Sequence, residues 1–231
     1  VVMGLAAGAC VPRKGQEETD RAAAEALRKR FGALVLFLPA EAPPMSSTQV
    51  RDRLEAGLPV SAYLPPRVER YCYESGLYFP PDVRRIQQKL KQALPERRYL
   101  HTMGVVRTAA ELSVRWGADP VKARLAALLH DCAKYLPEET LRALSGDDTE
   151  AAPVWHAFAG ATVAAQEYGV TDPEVLQAIR LHATGDAHMT LLDQTVYLAD
   201  LIEPGRNFPC VDACRAAVEQ GPDEAMLFSL K

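Results

Sequence analysis

From Glu96 onward the chain carries helical patterns and no strand pattern, which restricts this part to an all-α domain. Apolar residues recur at three- and four-residue spacing in 97–117, 121–134, 138–145, 154–168, 173–182, 190–202 and 210–219. Gly117, Gly169 and Gly185, with Pro120, Pro137, Pro173 and Pro204, punctuate these stretches where helices must stop or start. One stretch, Leu125-Ala-Ala-Leu-Leu-His-Asp-Cys-Ala-Lys134, ends its apolar run in an adjacent His130–Asp131 pair. No internal repeat or low-complexity segment is present.

The first eighty residues read differently. Val1–Leu5 and Leu34–Leu38 read as buried strands, and Glu18–Arg30 as a helix between them, a parallel βαβ unit. The longest apolar run, Ala33–Leu38, falls far short of the ~18 residues that a membrane span needs. Ser46 and Gln49 form a capping-box pattern opening a helix that runs to about Ala56 and stops at Gly57. The same hydroxyls and free N–H groups could instead hold a phosphate. Pro80-Pro81 marks a boundary, and Asp82–Leu94 reads as a basic amphipathic helix leading into the second domain. The expected class is α+β overall: a truncated α/β piece over 1–80, a linker helix over 81–96, and an all-α domain over 97–231.

Charge narrows the function. Lys+Arg against Asp+Glu number 10 and 9 in residues 1–80, 6 and 2 in 81–100, and 10 and 19 in 101–231. An acidic second domain argues against a nucleic-acid reader, so any phosphate must be met by bound metal and a few placed cations. Five cysteines without Cys-x-x-Cys spacing fit reduced thiols in the cytoplasm, and Cys210 and Cys214, four apart, read as small buried hydrophobes rather than metal ligands. Val1–Cys10 lacks the basic leader of a signal peptide. The chain does not open with Met, which leaves room for a longer protein upstream.

All five histidines lie between His101 and His188. His101, the His130–Asp131 pair and Asp200 together suit a divalent metal of intermediate hardness. Adjacent helical residues point roughly 100° apart, so His130 and Asp131 share one metal only if their helix ends against it, or else serve two. His101 at the start of its helix and Asp200 near the middle of its own would complete the sphere.

Two resemblances refine this reading. Ser46-Ser-Thr-Gln-Val-Arg51, Gly57, Tyr63–Tyr71 and Gly76-Leu-Tyr78 resemble the C-terminal end of bacterial nicotinate-nucleotide adenylyltransferase (NadD). That resemblance implies phosphate contacts at Ser47, Thr48 and Arg51. The family's His-x-Gly-His motif has no counterpart, because no histidine precedes His101. Adenylyl transfer would then require an upstream half. Residues 97–231 resemble the YqeK family of HD-domain hydrolases through Arg97–Val105, Ala126–Lys134, His156, Ala178–Gly185, Met189, Tyr197–Pro204 and Arg206. This likeness implies a symmetrical diadenosine tetraphosphatase that releases two ADP and carries a divalent or trivalent metal, iron, with Mn, Zn or Mg as alternatives. The metal ligands implied are His101, His130, Asp131 and Asp200. His130, Asp131, Lys134 and His156 would be catalytic, and Arg98, His101, Asp131, Lys134, His156, His182, Ala183 and Arg206 would contact nucleotide. Where the family has His-Thr-x-Gly, this chain has Ala183, which removes a hydroxyl; His188 has no counterpart and reads as a surface residue.

A cation so held acidifies water at neutral pH. Lys134, Arg98 and Arg206 would neutralise the non-bridging oxygens, and His156 or His182 would protonate the departing ADP. The basic stretch Arg84, Arg85, Lys89, Lys91, Arg97 and Arg98 could steer the anion or simply form a solvated face. The alternatives are HD chemistry on another nucleotide, or a nucleotide sensor without turnover. Partners are expected to be small nucleotides, with no nucleic acid and no membrane, and a homodimer left open.

Overall fold

The computed structural model describes residues 7–12, 15–40, 45–146 and 152–230. The chain divides into two compact units, Val1–Val50 and Arg51–Lys231.

In the first unit, strand β1 (Gly8–Cys10) pairs in parallel with β2 (Val35–Phe37), Ala9 opposite Leu36, and helix α1 (Glu17–Phe31) lies between them in sequence. The parallel unit is therefore present, with its first strand at 8–10; Val1–Leu5 lies outside the described residues. Acidic residues in the first turn of α1 and basic ones in its last complement the helix dipole. The expectation of a buried second strand is not met: Leu34, Leu36 and Leu38 are 44–52% exposed. Two strands and one helix supply no second layer to cover them. Ser46 and Gln49 make both bonds of the capping box, 2.7 Å from the Ser46 N–H to Gln49 Oε1 and 3.1 Å from the Gln49 N–H to Ser46 Oγ.

The remaining helices are α2 (Ser47–Glu55), α3 (Pro66–Ser75), α4 (Pro81–Ala93), α5 (Glu96–Trp116), α6 (Pro120–Leu129) and α7 (Glu138–Ser145). A 3-10 turn (Ala152–Val154) leads into α8 (Trp155–Tyr168), followed by α9 (Pro173–Leu181), α10 (Leu191–Ile202), α11 (Val211–Val218) and α12 (Pro222–Ser229). All seven helical stretches read from the pattern after Glu96 are present. Helix α12 has no clear apolar face, with Leu227 and Leu230 both 64% exposed, and its periodicity is correspondingly faint.

The division falls at Val50, whereas Pro80-Pro81 suggested a break thirty residues later. Lateral ties explain the difference. The buried Arg124 guanidinium on α6 donates to the carbonyls of Leu54 (2.9 Å) and Glu55 (3.0 Å), closing the end of α2, and stacks on Phe79. Gln87 on α4 donates to the Tyr73 carbonyl (2.7 Å), and Tyr99 on α5 donates to the Glu74 carbonyl (2.6 Å). Gly76 ends α3 at φ 63, and a Cβ there would run into the Gln87 carboxamide. Residues 51–80 are thus part of the helical unit.

Helices α5, α6, α8, α9 and α10 pack into its core. Fully buried Ala126, Ala127, Ala133, Ala157, Ala159, Ala164, Ala178 and Ala199 let these helices approach closely. The packing brings their ends to one place. Among the described residues no helix is long and apolar enough to cross a membrane.

Candidate metal centre

Helix ends deliver the site. Asp119 caps the start of α6, with Pro120 in its first turn, and the helix stops at Leu129, so His130 and Asp131 turn away from the axis together. Asp172 and Pro173 begin α9 in the same way, and His182 closes it. His156 stands in the first turn of α8, and His101 in the second turn of α5. Asp200 lies in the last turn of α10 rather than near its middle, because that helix ends at Ile202.

The imidazoles share one device. His130 Nδ1 faces the Ala127 carbonyl at 2.7 Å, His182 Nδ1 the Ile179 carbonyl at 2.7 Å, and His156 Nδ1 the Pro153 carbonyl at 3.0 Å. Each carbonyl lies three residues back and can only accept, so each Nδ1 carries the proton of the neutral ring. His101 Nδ1 instead faces Glu203 Oε1 at 3.1 Å. Four Nε2 lone pairs are thereby aimed at two carboxylates.

The distances set the centre. His101 Nε2 lies 3.0 Å from Asp200 Oδ1 and 4.0 Å from Asp131 Oδ2. His130 Nε2 lies 3.3 Å from Asp131 Oδ2 and 3.8 Å from Asp200 Oδ1. His156 and His182 place Nε2 at 3.4 and 3.8 Å from the other Asp131 oxygen. Ligands about 2.1 Å from one cation stand roughly 3.0–4.2 Å apart in tetrahedral or octahedral arrangements. Four of the six separations among His101, His130, Asp131 and Asp200 fall in that range. The ligand atoms of His101, His130 and Asp131, of His130, His182 and Asp200, and of Asp131, His156 and His182 lie within 4.8 Å of one another in each trio. His101 Nε2 and His130 Nε2 are buried without a hydrogen-bond partner. A lone pair facing a carboxylate oxygen is repulsive unless a cation lies between them, and the donor set therefore fits a metal.

Electrostatics agrees. Burial alone would raise the Asp131 carboxyl, but His130 and His182, when protonated in the absence of a cation, hold it far below the usual carboxylate range. Asp200 is likewise lowered, the effect of burial being overcome by His101, His130 and Arg206. Burial would lower His130, but the neighbouring carboxylates raise it. Two buried anions thus draw positive charge toward themselves.

Cations rim the cluster. Arg98 Nη1 donates to Asp131 Oδ2 at 2.9 Å, and Arg206 pairs with Asp200. Lys134 Nζ lies 2.9 Å from His156 Nε2 and 4.0 Å from Asp131 Oδ1. Burial and the Lys134 ammonium together push the His156 imidazole down to about 4. Ala183 sits one residue beyond His182 in the turn after α9, and His188 is exposed. All five cysteines are free: Cys214 is buried as expected, but Cys210, at the start of α11, is exposed, against expectation; Cys72 and Cys132 are also buried.

One participant was missed in the sequence. Glu203 is buried, accepts from the Gly205 N–H at 2.6 Å, and orients His101. Its only signal was a position three residues after Asp200, on the same side of α10. The basic stretch at 84–98 also divides on inspection. Arg84 donates to the Gly76 carbonyl and Lys89 to Glu167, whereas Arg97 and Arg98 face the cavity beside His101.

Residues 98–205 match the HD domain family. A symmetrical bis(5'-nucleosyl)-tetraphosphatase of Bacillus subtilis strain 168 is 43% identical over 149 residues, covering 62% of this chain and 80% of that protein. The solved structure of a Clostridium acetobutylicum protein, described as a predicted HD superfamily hydrolase involved in NAD metabolism, is 38% identical. It covers 63% of this chain and 81% of that one, with a TM-score of 0.59. A shorter match, 35% identical over 65 residues (28% of this chain and 32% of that protein), is to a probable nicotinate-nucleotide adenylyltransferase of Clostridium botulinum strain Loch Maree. The spread of the His/Asp cluster over five helices, all within the matched span, and the extent of the Bacillus relationship lead to one conclusion: the chain belongs to the HD-domain family of symmetrical bis(5'-nucleosyl)-tetraphosphatases.

Proposed function

We propose that this protein hydrolyses diadenosine tetraphosphate symmetrically, giving two ADP, at a metal held by His101, His130, Asp131 and Asp200. The convergence of tautomer-locked Nε2 atoms on two ionised carboxylates is the observation that carries the reading. Two imidazoles and two carboxylates suit a borderline metal, and we assign iron, as the family resemblance implies, with Mn, Zn or Mg as alternatives. When bound, the metal supplies Lewis acidity toward a phosphoryl oxygen and toward water.

The chain's own groups do the rest. Arg98 and Arg206 exchange their carboxylate partners for the non-bridging oxygens of the central phosphates, where charge grows in the transition state. Lys134 presents its ammonium to the same oxygens. His156 has Nδ1 on a backbone carbonyl and Nε2 on Lys134, so it aims that ammonium and does not itself protonate the leaving ADP. His182 Nε2 faces the second Asp131 oxygen at 3.8 Å. The backbone beside Ala183 borders the nucleotide. By sequence resemblance, residues 1–80 are read as the C-terminal end of a nucleotidyltransferase-like α/β domain, with the adenylyltransferase match in support, 81–96 as the linker helix and 97–231 as the hydrolase domain, although 51–80 pack within the helical unit. The five free thiols suit the cytoplasm.

Incubation with diadenosine tetraphosphate, with and without chelator, tests the reading. ADP as sole product, lost with chelator, is expected; ATP plus AMP, or no cleavage by metal-replete protein, would refute it. Glu203→Gln removes the charge that orients His101. Metal affinity is expected to fall about tenfold, within the range seen when groups supporting a ligand are changed. An unchanged dissociation constant by competition with a chelating dye would show that His101 needs no such support.

A further inference from the structure

A cavity of about 1320 Å3 opens beside His101, larger than the roughly 300–1,000 Å3 that holds one drug-sized ligand. Arg98, His101, Gly104 and Arg107 advance along α5 in three-residue steps and all line it, forming a track on one helix face. Arg107 stands about 9 Å along the axis from His101. Gly104 lets the buried Glu203 carboxylate pack against the middle of the track, where a Cβ would run into it.

Helix α3 forms the opposing wall. Tyr99 bonds to Glu74, and Arg107 pairs with Glu69 at 3.8 Å, so α3 runs antiparallel to α5 with its first turns at the Arg107 end. Arg67 and Arg70 line the cavity from there. Both are exposed. Arg67 has no ion-pair partner among the described residues, and Arg70 has only a loose 3.7 Å contact with Glu74. Their cationic heads are therefore available to an anion. Both lie outside the residues 98–205 that match the HD domain family, in the segment preceding it.

We infer that Arg67 and Arg70, with Arg107, form a second anion subsite that holds the half of a dinucleoside polyphosphate farther from the metal centre. The inference rests on the reading of the substrate given above. A tetraphosphate bridge carries about four negative charges, more than Arg98, Lys134 and Arg206 neutralise once part of their charge is spent on Asp131 and Asp200. The arginines would thus favour two linked nucleotides over one.

The test uses the metal-loaded full chain and calorimetry. The ligands are ADP and a diadenosine tetraphosphate analogue in which a methylene replaces the central bridging oxygen. The analogue is expected to bind about tenfold tighter than ADP. Arg67→Ala/Arg70→Ala should erase most of that preference while leaving ADP affinity within about twofold. An unchanged preference, or an equal loss for both ligands, would overturn the subsite. Because both side chains are exposed, the variant is expected to fold, and Arg67→Lys/Arg70→Lys should recover part of the preference. If the arginine-dependent preference is found but the parent dinucleotide is not cleaved, the subsite stands and the hydrolase reading fails.

Discussion

Asp131→Asn is expected to lower kcat roughly a thousandfold, consistent with several kcal/mol of lost metal-borne stabilisation at tenfold per 1.4 kcal/mol. This carboxylate gives one oxygen to the His101–His130 side and the other to the His156–His182 side, so no other residue can take its place. Asparagine keeps the shape but removes the charge that the cluster is built around. The amide is a poorer ligand, and metal content should fall well below that of the parent protein. Helical content should hold, because the substitution removes one of two crowded buried anions. Elemental analysis, circular dichroism and the product assay together check this. Full turnover with full metal content would remove Asp131 from the centre.

Arg124→Ala is expected to do the reverse, costing stability and sparing chemistry. The guanidinium is buried, and burial lowers its pKa, yet it remains the donor that closes α2. Truncation leaves the Leu54 and Glu55 carbonyls unpaired and uncovers Phe79. The cost should be about 3 kcal/mol, within the range for stranding buried polar groups. For a unit of this size that lowers Tm by roughly 6–12 °C. Arg124→Met would refill the volume without the donors and recover only part of the loss. A Tm change under about 2 °C for the alanine variant would show that water replaces the guanidinium at no cost.

The contrast between these residues explains what was legible in the chain. His101, His130, Asp131, His156, His182 and Asp200 announced themselves because ionisable groups recurred at the ends of otherwise apolar helical stretches, and the structure brings all six together. Helix boundaries were equally plain, since Asp119-Pro120 and Asp172-Pro173 are local start signals. Arg124 and Glu203 were not visible. Each acts on a partner far away in sequence, seventy residues for Arg124 with Leu54 and 102 for Glu203 with His101. The compact units divide at Val50 rather than at Pro80-Pro81 for the same reason: proline reports chain direction, whereas Arg124 and Gln87 reach sideways. Leu34–Leu38 misled in the opposite sense, because an apolar run states only that burial would be favourable.

The helix-end histidines carry a consequence for folding. The bonds from His130 and His182 Nδ1 to their own helices are local and can form as soon as those helices do, but the proposed ligands come from α5, the end of α6 and α10, with His101 and Asp200 at the two extremes. Closing so long a loop is among the slower steps available to a chain, and it rewards nothing until the core helices have docked. The ligand set is therefore complete only once α10 has docked against α5. Any partial opening that separates those two helices dismantles the centre even if every helix survives, so retention of the metal would act as a running report on the integrity of the whole core.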